Sequence, residues 1–161
     1  VPKCLQVLKV CKTAGERQDY AFDLTAEFSK LWEADHPYAA AAVVRPSVGT
    51  GLEYVSSGGQ SNGEIEPEWP TPAGETVEDG SITWTAQALS ALGLKHHIVD
   101  CTWTAPDGIT ASDQVETDDP GLQEIRIWVS GGTVGESYVI TALVETNLGA
   151  LFECRLIVSI E

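Results

Sequence analysis

The sequence predicts an all-β fold: an antiparallel sandwich, interrupted by a small acidic β lobe and preceded by an N-terminal arm. Three observations predict it. Apolar and polar residues alternate with period two in several runs after residue 95, the pattern of half-buried strands. Fifteen Gly and eight Pro in 161 residues suit short strands joined by many turns. The 43% hydrophobic and 20% charged composition is that of a chain folding around a core, and the length fits one ordinary domain or two very small ones.

Residues 1–19 read as the arm. Leu5, Val7, Leu8 and Val10 sit between Cys4 and Cys11, ahead of a polar turn at Gly15. As a helix this segment puts both cysteines on one face; as a strand it points them opposite ways. It either completes the core or packs on a neighbouring subunit. The sandwich is expected from 20–37 and 95–161. Tyr20, Phe22 and Leu24 alternate as one strand face. Thr25 then caps a helical turn carrying Phe28, Leu31 and Trp32, ended at His36-Pro37.

Residues 38–94 form the lobe. From Pro46 to Leu94 there is no Lys or Arg but seven acids: Glu53, Glu64, Glu66, Glu68, Glu75, Glu78 and Asp79. Turn signals crowd at Gly49-Thr50-Gly51, Ser56-Ser57-Gly58-Gly59 and Ser61-Asn62-Gly63. Strands are expected at Leu52–Val55, Glu75–Val77 and Ser81–Thr85, with Asp79-Gly80 at the centre of a tight hairpin. Glu66 to Pro70 is extended, with Trp69 between two prolines. Gln87 to Leu94 reads as a helical turn leading out.

After the lobe the strands are clearest. Val99, Cys101 and Trp103 alternate against Asp100, Thr102 and Thr104. Ile125, Ile127 and Val129 alternate against Arg126 and Trp128. Tyr138 to Glu145 is a third strand. Phe152, Cys154, Leu156, Val158 and Ile160 share the inner face of a fourth. The turns at Pro106-Asp107-Gly108, 130–135 and 146–149 separate them. Trp128 falls out of phase with its buried neighbours, so it faces outward, as an interface tryptophan would.

Nine basic residues against twenty-four acidic give a formal charge of −15. A duplex or an anionic leaflet repels such a surface, so neither nucleic acid nor membrane is an expected partner. No apolar run approaches the ~20 residues of a membrane helix, and no basic-then-apolar leader opens the chain. It starts on Val1, as expected where an initiator or leader has been removed. Cys4, Cys11, Cys101 and Cys154 allow three pairings and form no C-x-x-C unit.

Particular strings carry a resemblance. Trp103 to Thr110, Ile127 to Thr141 and Glu145 to Gly149, together with the Tyr20-x-Phe22-Asp23 opening, resemble the fiber-tail adaptor family of tailed phages. The likeness covers the two pieces flanking the lobe. Within the lobe, Thr50 to Tyr54, Glu66 to Pro70, Gly74 and Val77-x-Asp-Gly-Ser-Ile-Thr-Trp84 look like a module of phage tail fibers and other virion surface proteins. The resemblance implies a virion structural protein without catalytic residues.

The chemistry-bearing residues fit that. His96 and His97 adjoin the strand of Cys101, but a thiol on an inner face is inert. Glu64, Glu66 and Glu68 alternate as a glycosidase or Ca²⁺ site would, and Asp113, Glu116, Asp118 and Asp119 group in a loop; both sets read as solvated. No catalytic residue, metal ligand or cofactor is expected. Trp69 and Trp84 either form the lobe's small core or stack on a sugar.

The reading is an immunoglobulin-like sandwich with an inserted β lobe, acting as a non-enzymatic neck or tail adaptor that attaches fibers or other virion proteins. A capsid decoration (cement) protein and a carbohydrate-binding module of a fiber are the alternatives. Expected partners are portal, neck, tail, fiber or major capsid proteins and further copies of the chain. Location is the virion, and the host cytoplasm during assembly. Leu5, Val7, Leu8, Val10 and Trp128 are the expected interface. Cys4 and Cys11 are placed for an intersubunit disulfide, and Cys101 and Cys154 for burial or mutual pairing.

Overall fold

The computed structural model describes residues 2–60 and 62–161. Val1, in the arm, and Ser61, in the Ser61-Asn62-Gly63 turn signal, lie outside the described residues. The fold is all-β. In chain order its strands are β1 (Lys3–Lys12), β2 (Gln18–Asp23), β3 (Val43–Val44), β4 (Leu52–Ser56), β5 (Thr76–Asp79), β6 (Ile82–Ala88), β7 (Ile98–Thr104), β8 (Ile109–Asp119), β9 (Leu122–Gly131), β10 (Ser137–Thr146) and β11 (Leu151–Ile160). They form two compact units. Val1–Glu27 and His96–Glu161 make one; Phe28–Lys95 makes the other.

The first unit is a sandwich. One sheet runs β1-β11-β10-β7 and the other β2-β9-β8. All pairs are antiparallel except β1 with β11. The period-two runs dictate the core. Ile125, Ile127 and Val129 of β9 and Cys154, Leu156, Val158 and Ile160 of β11 are buried. Phe22 of β2 meets Trp103 of β7 across the two sheets, with ring centroids 6.2 Å apart. Between β9 and β10 the chain changes sheet at Gly132, whose φ is 98°. A Cβ there would stand 2.6 Å from Ile160 Cδ1, so only glycine fits.

One buried polar group ties this unit together. Gln123, fully buried at the start of β9, accepts the Ile98 N–H at Oε1 (2.8 Å). Its Nε2 donates to Asp118 Oδ1 (2.8 Å) and the Asp119 carbonyl (2.9 Å). Its backbone N–H donates to Thr25 Oγ1 (2.9 Å), and its carbonyl accepts the Leu24 N–H (2.7 Å).

Of the two alternatives for the N-terminal arm, Lys3–Lys12 takes the first: β1 is an edge strand paired along its length with β11. Gln6 Nε2 fastens it to the Asp23 carbonyl and to Glu27, both at 2.8 Å. The buried Lys12 ammonium donates to the Thr13 and Glu16 carbonyls, both at 2.7 Å. Three expectations for this unit are corrected. Val99 is 61% exposed, because the register slips between Glu145 and Thr146 and a bulge turns it out. Asp113, Glu116, Asp118 and Asp119 lie on β8, not in a loop. The helix spans only Thr25–Phe28, with Asp23 Oδ1 accepting the Thr25 N–H (2.9 Å).

The second unit is a four-stranded antiparallel sheet in the order β3-β4-β6-β5. It begins at Phe28 rather than residue 38, because the backbone there is already committed to it. Lys30 N–H donates to the Gly93 carbonyl, Lys95 N–H to that of Phe28, and Trp32 N–H to that of Arg45. Those extended contacts keep Leu31 and Trp32 out of a helix. Val44, Tyr54, Ile82, Trp84 and Ala86 form the core, packed by Trp32, Tyr38, Leu52, Trp69 and Val77. β6 continues to Ala88, so the predicted exit helix shrinks to a 3₁₀ turn at Ala91–Gly93.

The hairpin is displaced by one residue. Asp79 pairs with Ile82, leaving Gly80-Ser81 as the loop with Gly80 at φ 62°. Asp79 is held inside instead. Its Oδ2 accepts from Trp32 Nε1 (2.8 Å) and Trp84 Nε1 (2.9 Å), and its Oδ1 from the Gly63 N–H (2.6 Å). Asp79→Ala strands these donors in an apolar core. It should lower stability by about 2–4 kcal/mol, read as a lower urea midpoint followed by tryptophan fluorescence. An unchanged midpoint would show the carboxylate to be dispensable.

Candidate functional site

The residues singled out in the sequence lie on the exposed faces of the strands and in the second unit, and those faces are the candidate site. On the β2-β9-β8 sheet, β9 turns Ile125, Ile127 and Val129 inward and Glu124, Arg126 and Trp128 outward. Trp128 is half-buried, with the Arg17 guanidinium 4.5 Å above its ring. Arg17 also pairs with Asp113, and Arg126 with Asp19 and Glu124. The face is thus one aromatic platform framed by closed ion pairs. The alternation foretold the direction of Trp128 but not the guanidinium lid.

Val7 is 52% exposed, while Leu5, Leu8 and Val10 are half-buried against their own unit. The bulge between Cys4 and Gln6 overrides the simple strand parity, and both Cys4 and Cys11 are exposed and free. The Glu161 carboxylate, through a hydrogen bond and its charge, raises the Cys11 thiol above its ordinary pKa. Cys101 and Cys154 are buried, free thiols. They cannot pair with each other. β10 lies between β7 and β11, which sets the two chains roughly 9.6 Å apart, beyond the ~7 Å limit for a disulfide.

In the second unit Trp84 is fully buried and presents no face to a sugar. Trp69 lies over Tyr54 (4.3 Å between centroids) and Trp84 (5.9 Å), with Nε1 donating to Glu66 Oε1 at 2.8 Å. Burial pushes the Glu66 carboxyl up, but hydrogen bonds from Ser47 and Trp69 outweigh it and leave the pKa below the ordinary value. Glu64 and Glu68 are exposed, so the three glutamates form no common site. Among the described residues, no group of three His, Cys, Asp or Glu is placed to hold a metal ion. His96 packs edge-on against Phe152 (5.3 Å), and His97 Nδ1 lies 3.1 Å from Asp118 Oδ2.

Two features of this unit escaped the sequence reading. Glu53, fully buried, lies 3.7 Å from the Arg45 guanidinium and accepts from Gln87 Nε2 (2.8 Å) and Ser90 Oγ. A cavity of about 460 Å³ opens beside β3, lined by Lys30, Leu31, Tyr38, Val43, Val44 and Lys95, among others. Its sequence signal was present: Lys30 and Lys95 bracket a long stretch whose only cation is Arg45.

Against known families, the one described as podophage GP4 fiber-tail adaptor protein gp77 matches residues 73–159. That is more than half the chain. The match runs through β5 and β6 of the second unit and on through β7 to β11, so it is not confined to the pieces flanking the lobe, and Tyr20 to Asp23 lies outside it. It supports neither capsid decoration nor sugar binding. No curated protein matches, and no solved structure does.

The buried thiols carry a testable consequence. Burial pushes Cys101 and Cys154 from 9.0 up to about 12. The unfolded chain therefore loses these protons at lower pH than the folded one, so their stabilising contribution is complete below pH 9 and fades as pH rises toward 12. Urea unfolding of the native chain and of the Cys101→Ala/Cys154→Ala double variant should show a stability gap that narrows over this window. A constant gap would place the thiols in contact with water.

Proposed function

The chain belongs to the podophage GP4 fiber-tail adaptor family, and we propose on that footing that it joins fibers to the tail as a non-enzymatic part of the virion. The observation that carries the reading is the continuous match over 73–159, which takes in five of the seven sandwich strands. The strand order supports an immunoglobulin-like sandwich. Lettered A to G along the chain, the sandwich strands stand as A-G-F-C and B-E-D.

The adaptor works by non-covalent docking at the neck or tail, in several copies. Trp128 and its Arg17 lid form one contact face, in keeping with the enrichment of Trp and Arg at interface centres. Val7 and the free thiols of β1 offer a second. Surfaces with closed internal ion pairs dock without stranding those charges, because Asp19, Asp113 and Glu124 already have their cations.

Trp128→Ala removes an outward ring. The melting temperature of the isolated chain should fall by about 2–4 °C, as for loss of ~1 kcal/mol. Incorporation into particles, quantified by mass spectrometry of purified virions, should fall severalfold. Unchanged incorporation would remove this face from the interface. Complete independence of fiber attachment from the whole chain would overturn the adaptor reading itself.

A further inference from the structure

The cavity beside β3 has no assigned occupant, and its chemistry is specific. Ser29 bridges Leu94 in antiparallel fashion, with hydrogen bonds from Lys30 N–H to Gly93 O (2.9 Å) and from Lys95 N–H to Phe28 O (2.8 Å). That register makes Lys30 and Lys95 diagonal neighbours on one face, roughly 7–8 Å apart at their bases. Both are exposed. Among the described residues neither makes an ion pair, although all four arginines of the chain do. The carboxylate at the rim, Glu33, lies 3.8 Å from His36. Two lysines and the apolar Val43, Val44 and 40% exposed Leu31 therefore line one cavity.

The backbone of β3 adds a second feature. Hydrogen-bonding direction alternates along an antiparallel strand. Ala42 faces β4, taking the Ser56 N–H at 2.8 Å, while Arg45 faces the opposite edge, bonded to Lys30 and Trp32. Val43 shares the direction of Arg45, so its N–H and C=O turn away from β4, and Val43 also lines the cavity. An extended chain can pair there as an added strand. A sugar finds less: the Tyr38 ring is already engaged by His36 (4.6 Å) and by Trp84 (4.9 Å).

We propose that this cavity docks an extended peptide segment whose carboxylate lies between Lys30 and Lys95, with an apolar side chain on Leu31 and Val43. The ligand chemistry is read from the cavity. Only its source, another virion protein, rests on the adaptor reading.

Titrating the isotope-labelled full chain with a blocked pentapeptide of alternating valine and glutamate tests this by NMR. Saturable shifts are expected at the amides of Lys30, Leu31, Val43 and Lys95. The Lys30→Gln/Lys95→Gln double variant, and separately a glutamine version of the peptide, should each weaken binding about tenfold. Both lysines are exposed, and an unchanged spectrum elsewhere verifies the variant's fold. No shifts, or equal binding by the double variant, would overturn the proposal. So would galacturonate shifting these amides where the peptide does not, which would make the occupant an acidic sugar. None of these outcomes bears on incorporation into particles, so the adaptor reading is tested separately.

Discussion

The amide of Gln123 is the joint on which the interrupted sandwich depends. β2 ends at Asp23 and β7 begins at Ile98, with the whole second unit between them. The two ends must still meet at one place for the sandwich to close. Gln123 supplies it: its backbone holds Leu24 and Thr25, while its side chain holds Ile98, Asp118 and Asp119. An apolar side chain of equal size would fill the space yet leave the Ile98 N–H and Asp118 without these partners. A fully satisfied buried amide fixes register as well as volume, because each bond accepts one geometry.

The second unit meets a different constraint. A sheet this small has few large apolar residues, so its interior is organised by charge-assisted hydrogen bonds around aromatic rings. Asp79 gathers Trp32, Trp84 and Gly63. Glu66 gathers Ser47 and Trp69. Glu53 gathers Gln87, Ser90 and Arg45. Two of the seven acids that made this stretch look like a solvated lobe, Glu53 and Asp79, are thus internal fixtures, and a third, Glu66, is half-buried. Composition cannot separate an acid that solubilises from one that accepts two indole N–H groups. Only the fold decides which side of the sheet it faces.

The sequence was legible wherever period two ran unbroken. Ile125 to Val129 and Cys154 to Ile160 lie as the alternation requires, and Trp128 points out. It became illegible where one residue breaks the period. The bulge after Cys4 and the bulge at Val99 each flip the strand parity of the neighbouring residues. β8 was missed because its exposed edge carries Asp113, Glu116 and Asp118, which read as loop. The displaced hairpin has the same origin: Asp-Gly favours a turn locally, but two indole donors draw Asp79 into the strand. Long-range partners of this kind leave no local trace.

The distribution of cations constrains what this surface can recognise. With a charge of −15, copies or partners of like sign repel unless a local cation meets a carboxylate. The arginines do not serve, because Arg17, Arg45, Arg126 and Arg155 are each paired within the chain. Lys12 is buried on backbone carbonyls. That leaves Lys3 and Lys9 on β1, and Lys30 and Lys95 at the cavity of the second unit. The first pair lies along a ten-residue edge strand with a bulge, which is also how proteins keep edges from pairing indiscriminately. The second pair lines a cavity with Leu31, Val43 and Val44, where no such protective purpose applies. A basic edge attracts acidic surfaces without choosing among them; a cavity with two cations and apolar walls selects by shape. For an acidic segment the proposed docking therefore falls to the cavity, beside the contact faces of Trp128 and β1, while the exposed lysines of β1 lower the repulsion on approach.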